Sequence, residues 1–425
     1  MSLLPATPPP GPFRPGFWRS PLRGPWLTSI LGSILLVLVT IVSVTGFLSH
    51  AAYNPGLGMN AIIDPARDLP LTFDWPSGPS WLYALNQGLH VNVGLVAIPV
   101  LLFKLWSVIP RLFAWPPAVS PAQALERLSI ALLVSSAVFL FATGVLNTQY
   151  FYVFKFNFVV AHYYGAVVFV AALVLHVALK APVIRRAYRE RGVLAPLRDD
   201  LAHTKPEPSD PHGGLVAADP AEPTISRRGL LLFAGAGSLA LLVANVGSSV
   251  GGALRPIAFL SPRRDVVGDG PNGFPVNKTA ASAGVTPAMV APASYALELR
   301  GGTRDAELTR EQLLGLPQRS ETLPIACVEG WSTTQDWTGV ALADLARMAG
   351  AEDAREVFVE SLQPAGILRE ATLSRDQLTA PGSLLALRVN GVDLSLDHGF
   401  PARVIVPALP GVHNTKWVSR MTFRT

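Results

Sequence analysis

The stretch Cys327 to Ser332, with the sequence CVEGWS, decides the fold of the C-terminal part of this 425-residue chain. Its cysteine is the only one in the chain, so no intrachain disulfide can form. The apolar residues 323–326 before it predict a buried strand, and a turn containing glycine follows. A lone cysteine is usually a small buried apolar residue. A thiolate presented at the end of a strand is, however, also a strong ligand for a soft metal.

Two further motifs lie downstream of the cysteine. Residues 397–403 read DHGFPAR and lead into a Val/Ile-rich strand, and residues 413–417 read HNTKW. In this order the three motifs resemble the molybdopterin-binding domain of the sulfite oxidase superfamily. The form CVExWS most resembles the catalytic subunit of bacterial periplasmic methionine sulfoxide reductase. The resemblance covers residues 256–425. Short β-rich runs alternating with brief helical patterns predict an α+β domain there, with a hairpin at Asn390-Gly391.

The resemblance implies a set of cofactor-binding residues. Molybdenum would be held by the dithiolene of one molybdopterin and by the thiolate of Cys327. His398, Arg403 and Lys416 would hold the pterin and its phosphate, which needs positive charge and donors of fixed direction. Asn277, in the segment FPVNK, loosely resembles a further pterin contact.

The residues after the cysteine bear on the substrate. The basic residues that follow the cysteine in sulfite oxidases are missing here, and Glu329 and Trp331 stand in this region instead. Trp331 is either a core residue or a wall of the substrate pocket. A carboxylate and an indole close to the metal suit a neutral or zwitterionic substrate better than a small anion. The immunoglobulin-like dimerisation domain of sulfite oxidases is not expected, because the sequence reaches Thr425 directly after the HNTKW strand.

The composition indicates a membrane protein. Hydrophobic residues make up 50% of the chain and charged residues 15%, so much of it should lie in lipid. The basic residues cluster beside apolar segments, which is typical of membrane topology and not of a nucleic-acid-binding surface. Four apolar spans and a shorter run rich in Gly and Ala are long enough to cross the bilayer or nearly so: residues 27–48, 82–106, 128–145, 158–181 and 230–246.

The distribution of Arg and Lys orients these spans. The N-terminal tail, the loop with Arg111 and Arg127, and the stretch 180–228 are basic, so they should lie in the cytoplasm. The loop 51–80 and the turn 147–157 should lie outside. The chain thus divides into a disordered cytoplasmic tail, a four-helix b-type cytochrome domain, a flexible cytoplasmic linker, a fifth helix and an extracytoplasmic molybdopterin domain, at residues 1–26, 27–181, 182–226, 227–250 and 256–425.

The fifth helix begins with a pair of arginines. Arg227 and Arg228, in the sequence SRRGLL, precede a weakly apolar run and resemble a twin-arginine export signal inside the chain. A molybdopterin domain must fold around its cofactor in the cytoplasm, and this route moves folded proteins, so the resemblance implies the twin-arginine machinery as a partner. The alternative is an ordinary fifth helix that two positive charges precede.

Four histidines lie in or at the ends of the first four spans, namely His50, His90, His162 and His176. Ionisable residues inside a membrane span are costly and usually face a cofactor or a cavity. His162 and His176 are 14 residues apart on one helix, so they differ by about 40° in direction and by about 21 Å in height. This spacing suits two haems near opposite membrane surfaces. The alternative is that these histidines only pack the helices together.

The best-matched histidines are His90 and His162, which share a depth near the outer surface. Gly94 and Gly165, about one turn further on, would leave room for a porphyrin. The sequence therefore predicts His90 and His162 as the axial ligands of one b-type haem, as in the cytochrome b subunits that this arrangement resembles. His176 has no second histidine at its depth, so a second haem stays open. His50 is an alternative haem ligand or a quinone ligand.

Taken together, the sequence predicts a bacterial cell-membrane molybdoenzyme that couples oxygen-atom transfer to the quinone pool through haem b. Reduction of a sulfoxide or a related S- or N-oxide is the favoured reaction. One alternative is a sulfite-type dehydrogenase that passes electrons inward to quinone. Another is a membrane transport or sensory protein whose soluble domain holds no cofactor.

Overall fold

The computed structural model describes residues 7–117, 120–208, 214–264, 270–366 and 368–425, which form two compact units. The first unit comprises Met1–Ser43, Val93–Asn147 and Phe151–Leu242. The second comprises Val44–Asn92, Thr148–Tyr150 and Val243–Thr425. This division differs from the predicted domain boundaries, because buried Ala52, Trp75 and Tyr83 belong to the same apolar core as the C-terminal strands.

Within the described residues, five helices are long and apolar enough to cross a membrane, which confirms the predicted spans. Each extends beyond its predicted apolar stretch. Asn157 caps the fourth helix by accepting hydrogen bonds from Val159 N and Val160 N. The five helices are α1 (Pro25–Tyr53), α2 (Leu82–Leu112), α3 (Pro121–Thr148), α4 (Phe158–Arg191) and α5 (Arg227–Val250).

The C-terminal part of the second unit is an α+β domain with two sheets, as predicted. In the first sheet the order is β2-β1-β10-β5-β6, with β1 and β10 parallel and the other pairs antiparallel. The second sheet has the order β3-β4-β7-β8, and β9 also pairs with β7. The strands are β1 (Ala296–Arg300), β2 (Ala306–Thr309), β3 (Arg319–Ala326), β4 (Ser332–Ala341), β5 (Glu356–Ser361), β6 (Glu370–Ser374), β7 (Leu384–Val389), β8 (Val392–Asp393), β9 (Arg403–Ile405) and β10 (Val418–Arg424).

The short helix α6 (Ala280–Ala283) precedes β1. Three further short helices connect strands: α7 (Arg310–Gly315), α8 (Leu342–Met348) and α9 (Arg375–Thr379). The predicted hairpin joins β7 and β8. Asn390 and Gly391 both have positive φ, at 51° and 83°, the conformation that a two-residue type I′ turn requires. Val389 and Val392 pair directly across it.

The N-terminal tail was predicted to be disordered, but its described residues are folded. Short 3-10 turns form at Gly11–Phe13 and Pro15–Phe17. The ring of Phe13 meets Phe113 edge-on at 5.4 Å, and the guanidinium of Arg23 lies 4.3 Å from the Trp106 ring centre. These contacts with aromatic rings compensate for the conformational entropy that the tail loses on ordering. The proline content of the tail did not reveal them.

The linker 182–226 is also more ordered than predicted. The fourth helix continues to Arg191, ten residues beyond the predicted end of its span. The side chain of Glu207 is 2% exposed and accepts hydrogen bonds from Trp26 N and Leu27 N at the start of α1. A carboxylate at a helix N-terminus satisfies donors that the helix itself leaves unpaired. Residues 209–213 of this linker lie outside the described residues.

Candidate active site

Cys327 lies in the turn between β3 and β4. Its backbone N–H donates to Trp331 O at 2.9 Å, and Gly330 N donates to Cys327 O at 3.0 Å. Gly330 has φ of 94°, a conformation that side chains other than glycine rarely adopt. The thiol is buried, with the residue 4% exposed. Burial, with a smaller contribution from the charge of Glu329, raises the pKa of the thiol well above its ordinary value, so a stable thiolate here requires a cationic partner such as a metal.

A cleft with about 320 Å³ of empty space opens beside this cysteine. It brings together all six residues that the sequence predicted for this site. The lining residues are Phe274, Pro275, Asn277, Ile325, Cys327, Trp331, Thr333, His398, Arg403, Gly411 and Lys416.

Two buried cations face this cleft. Arg403 is 4% exposed and Lys416 8%, and within the described ranges neither forms a salt bridge with a carboxylate. Arg403 donates from Nη1 to His398 O at 3.3 Å, while its Nε has no hydrogen-bond partner. Lys416 Nζ donates to Lys278 O and Asp397 O at 2.6 and 2.8 Å. Burial lowers the pKa of Arg403 to about 9 and that of Lys416 well below its ordinary value. Such charges are stable only beside an anion.

His398 lies between these cations and a backbone carbonyl. Its ring stacks on Phe274 with the centroids 3.6 Å apart, and Nε2 lies 2.9 Å from Asn272 O. A carbonyl only accepts, so Nε2 carries the hydrogen and Nδ1 is the acceptor of the neutral ring. Burial, and then the charge of Arg403, lower the pKa of His398 to about 3. The ring is therefore neutral at ordinary pH and offers an acceptor to ring N–H groups of a ligand.

Sequence reasoning missed the polar residues before Lys416 as binding groups. Asn414 Nδ2, Thr415 Oγ1 and His413 Nδ1 are buried without hydrogen-bond partners. His413 Nε2 donates to Tyr53 O at 2.8 Å. Unpaired buried polar atoms, here two side chains that can donate and the acceptor Nδ1 of His413, are rare in folded proteins and point to a bound polar group. The signal was available in the run HNTK, four polar residues within an otherwise apolar stretch.

Three segments from the membrane helices and their connections hold the Cys327 turn. Gln87 of α2 donates from Nε2 to Val328 O at 2.5 Å, and Ser249 of α5 donates to Gly330 O at 2.6 Å. Tyr150, after α3, donates its hydroxyl to Glu329. These residues come from far earlier in the chain, so no local sequence motif could have identified them.

Each predicted haem ligand has a threonine hydroxyl beside its Nδ1 atom, which sequence reasoning also missed. Thr143 Oγ1 lies 3.1 Å from Nδ1 of His162, and Thr45 Oγ1 lies 3.4 Å from Nδ1 of His90. A glycine follows each threonine, and each glycine faces the Cε1 atom of the same imidazole. Metal-binding imidazoles are usually oriented through their second nitrogen in this way. The repeated dipeptide Thr-Gly in the first and third spans was the available signal.

The other residues predicted to serve the haem lie in different surroundings. A Cβ atom at Gly94 would meet nothing within 4 Å, whereas one at Gly165 would meet the Phe139 ring at 3.3 Å, so Gly165 serves helix packing. His50 Nε2 lies 2.8 Å from Asp68 Oδ2, and both side chains are largely buried. This contact with Asp68 favours a structural role for His50 over iron binding.

At the predicted inner end of the membrane segments, a lysine stands in place of a second matched histidine. Lys104 follows His90 by the same 14 residues by which His176 follows His162. Lys104 donates from Nζ to Thr28 O at 2.7 Å, and Lys180 pairs with Glu126 at 2.5 Å. This arrangement does not favour a second bis-histidine haem.

Comparison with known proteins identifies the domain that surrounds Cys327. Residues 283–425 match the protein family described as "Oxidoreductase molybdopterin binding domain". This part of the chain is a molybdopterin-binding domain of the sulfite oxidase type. The unpaired buried donors and the two buried cations fit the pterin and its phosphate, and Cys327 fits the metal. The matching family consists of oxidoreductase domains.

Curated relatives match over shorter stretches than their full lengths. Mitochondrial sulfite oxidase of Drosophila melanogaster is 32% identical over 158 residues, which is 31% of this chain and 28% of the relative. The putative protein-methionine-sulfoxide reductase subunit YedZ1 of Azospira oryzae is 32% identical over 133 residues, or 30% and 48%. The uncharacterized oxidoreductase YuiH of Bacillus subtilis is 33% identical over 118 residues, or 27% and 58%. Each match spans less than two thirds of the relative.

Proposed function

We propose that this protein is a membrane-bound molybdenum oxidoreductase that reduces a sulfoxide or a related S- or N-oxide with electrons from quinol. The observation that carries the proposal is the cleft in which the single cysteine and two buried cations meet. When bound, the molybdenum cofactor supplies oxygen-atom exchange and a two-electron couple. In the net reaction the sulfoxide oxygen leaves as water, and one quinol supplies the two electrons and two protons.

Each residue has a role in this proposal. Cys327 binds the metal, while Arg403 and Lys416 neutralise the phosphate and His398 accepts a hydrogen bond from the pterin. Asn277 lines the cleft, and its carbonyl oxygen accepts a hydrogen bond from Arg263 Nη2 at 3.0 Å. Trp331 lines the cleft as a wall of the substrate pocket.

We further propose that His90 and His162 hold one haem b, which carries electrons singly between quinol and the molybdenum domain. The threonine behind each ring supports this assignment. The lysine at the inner position supports one haem, so a pyridine haemochromogen assay should give one haem per chain. The catalytic domain lies on the extracytoplasmic side of a bacterial cell membrane, and the twin-arginine machinery exports it.

Stopped-flow spectroscopy tests the direction of the reaction. Enzyme with pre-reduced haem should be reoxidised by methionine sulfoxide, and oxidised enzyme should stay oxidised on mixing with sulfite. In the variant Cys327→Ser, methionine sulfoxide should no longer reoxidise the haem, and sulfite should not reduce it. The variant should retain its haem, because only the metal loses its protein ligand. Rapid haem reduction by sulfite without any response to sulfoxides would favour the sulfite-type dehydrogenase.

A further inference from the structure

The carboxylate beside the metal ligand is held by residues outside the family match. Glu329 Oε2 accepts a hydrogen bond from Trp331 Nε1 at 2.7 Å and another from the hydroxyl of Tyr150. Arg263 Nε lies 3.7 Å from the same oxygen. Tyr150 and Arg263 precede residues 283–425 and so lie outside the family match. Glu329 is therefore held in a fixed network beside Trp331, which lines the cleft.

Arg263 is the centre of this network. Its Nε donates to Tyr150 Oη at 2.8 Å, and its guanidinium lies 4.4 Å from the centre of the Tyr150 ring. Its Nη2 donates to Asn277 O at 3.0 Å, in the wall of the molybdenum cleft. Glu329 and Arg263 are 18% and 30% exposed, so both charges remain close to the cleft and to solvent. The positive and the negative charge of the pair cancel.

The two cations that line the cleft are already assigned to the cofactor. Arg403 and Lys416 are almost completely buried, and their positions match a requirement for the pterin phosphate. Behind the wall of the cleft, the pair adds one cation next to Asn277 and one anion next to Trp331, and these two charges face each other. A site that must capture a sulfur oxyanion needs a net positive potential at this position. A pair without net charge disfavours the binding of such an anion, and it leaves the binding of an uncharged S=O group unaffected.

We propose that the Glu329–Arg263 pair, oriented by Tyr150, determines specificity by excluding oxyanions and admitting substrates whose sulfoxide group is uncharged. This inference rests on the proposed function, because it names the substrate class of that reaction. Glu329 and Arg263 act through their charges from behind the lining residues Trp331 and Asn277, and Tyr150 is a positioning residue.

Equilibrium dialysis of the purified full-length holoenzyme against radiolabelled sulfate measures this exclusion without turnover. Glu329→Gln keeps an oxygen that can accept from Trp331 and Tyr150 but removes the negative charge. Sulfate should therefore bind at least about 10-fold more tightly to this variant than to the parent. The double variant Glu329→Gln/Arg263→Gln restores neutrality and should return to the parent affinity. Glu298→Gln, which breaks a surface pair with Arg420 at 2.8 Å, is the matched control and should change nothing.

The outcomes separate this inference from the proposed function. Unchanged sulfate affinity in Glu329→Gln, in a variant with parental molybdenum content, would overturn the exclusion mechanism. So would equal affinities in the single and double variants, because the effect would then not depend on the pair. If Glu329→Gln fails to fold, Arg263→Gln alone should weaken sulfate binding below the parent level, and tighter binding would contradict the inference. A parent enzyme that oxidises sulfite and ignores sulfoxides would refute the proposed function instead.

Discussion

The hydrogen bond behind a metal-binding imidazole decides which ring nitrogen faces the metal. Thr143 Oγ1 donates to Phe139 O at 2.7 Å, so it acts as the acceptor for Nδ1 of His162 at 3.1 Å. The Nδ1–H tautomer then carries its lone pair on Nε2. Thr45 stands in the corresponding position for His90. The two rings are therefore expected to bind iron through the same atom.

Removal of this acceptor should weaken haem binding. Thr143→Val keeps the side-chain shape but loses the contact with Nδ1, and the affinity for haem should fall about 10- to 100-fold. His162→Ala should abolish the b-type spectrum while molybdenum content stays normal. Ser136→Ala is the matched control, since Ser136 bonds only to the backbone of its own helix in the described structure. A parental haem titration for Thr143→Val would refute the ligand assignment at His162.

Acid should destabilise the second unit through His398. In the unfolded chain an imidazole gains its proton near pH 6.5, but the folded pKa of His398 is about 3. The stability from the neutral ring is thus complete above about pH 6.5 and decreases as the pH falls toward 3. Thermal unfolding in detergent between pH 7.5 and 4.5 should show a smaller acid dependence for His398→Gln. Some dependence should remain, because burial also lowers the pKa of His413 to about 4. Parallel curves for parent and variant would show that His398 does not carry this dependence.

At the scale of elements, the turns that line the cleft could be predicted from the sequence, and their surroundings could not. The short motifs around Cys327, Arg403 and Lys416 are visible in the sequence, and the fold brings them together at one cleft. The hairpin at Asn390-Gly391 was predictable because its backbone requirement is local. Tyr150 is 177 positions before Cys327 in the numbering, and its hydrogen bond to Glu329 depends on tertiary packing. Local patterns hold no information about such a contact.

The two arginines at the start of α5 lie in different surroundings and should therefore have different roles. Arg227 is 1% exposed, lies 4.0 Å from Glu207 and donates to Lys205 O at 2.8 Å, whereas Arg228 is exposed. Arg228→Lys should therefore block export of the catalytic domain without loosening the first unit. Arg227→Lys should block export and also lower the unfolding temperature, because the guanidinium contacts are lost. Protease digestion of intact spheroplasts measures export, and digestion of both variants as in the parent would leave α5 as an ordinary fifth helix.

At the scale of the whole molecule, the second unit fixes which segments must share one side of the membrane. The segment after α1 and the C-terminal domain are joined by two buried hydrogen bonds. His413 Nε2 donates to Tyr53 O, and Trp75 Nε1 donates to Ala408 O at 2.8 Å. The loop 51–80 has few basic residues, which predicts an outside position. The catalytic domain should therefore lie outside with it, opposite the basic linker after α4.

Single cysteines at exposed positions test this topology with a membrane-impermeant maleimide. The native Cys327 is buried, so the parent chain should stay unlabelled. Ala66→Cys in the loop and Asp353→Cys in the catalytic domain should be labelled in intact spheroplasts, since both positions are exposed. His203→Cys, on an exposed side chain of the linker, should be labelled only after lysis. Labelling of Ala66→Cys and Asp353→Cys from opposite sides would contradict the contacts of Tyr53 and Trp75. Labelling of both only after lysis would show that the orientation inferred from the basic residues is inverted, although the unit itself is intact.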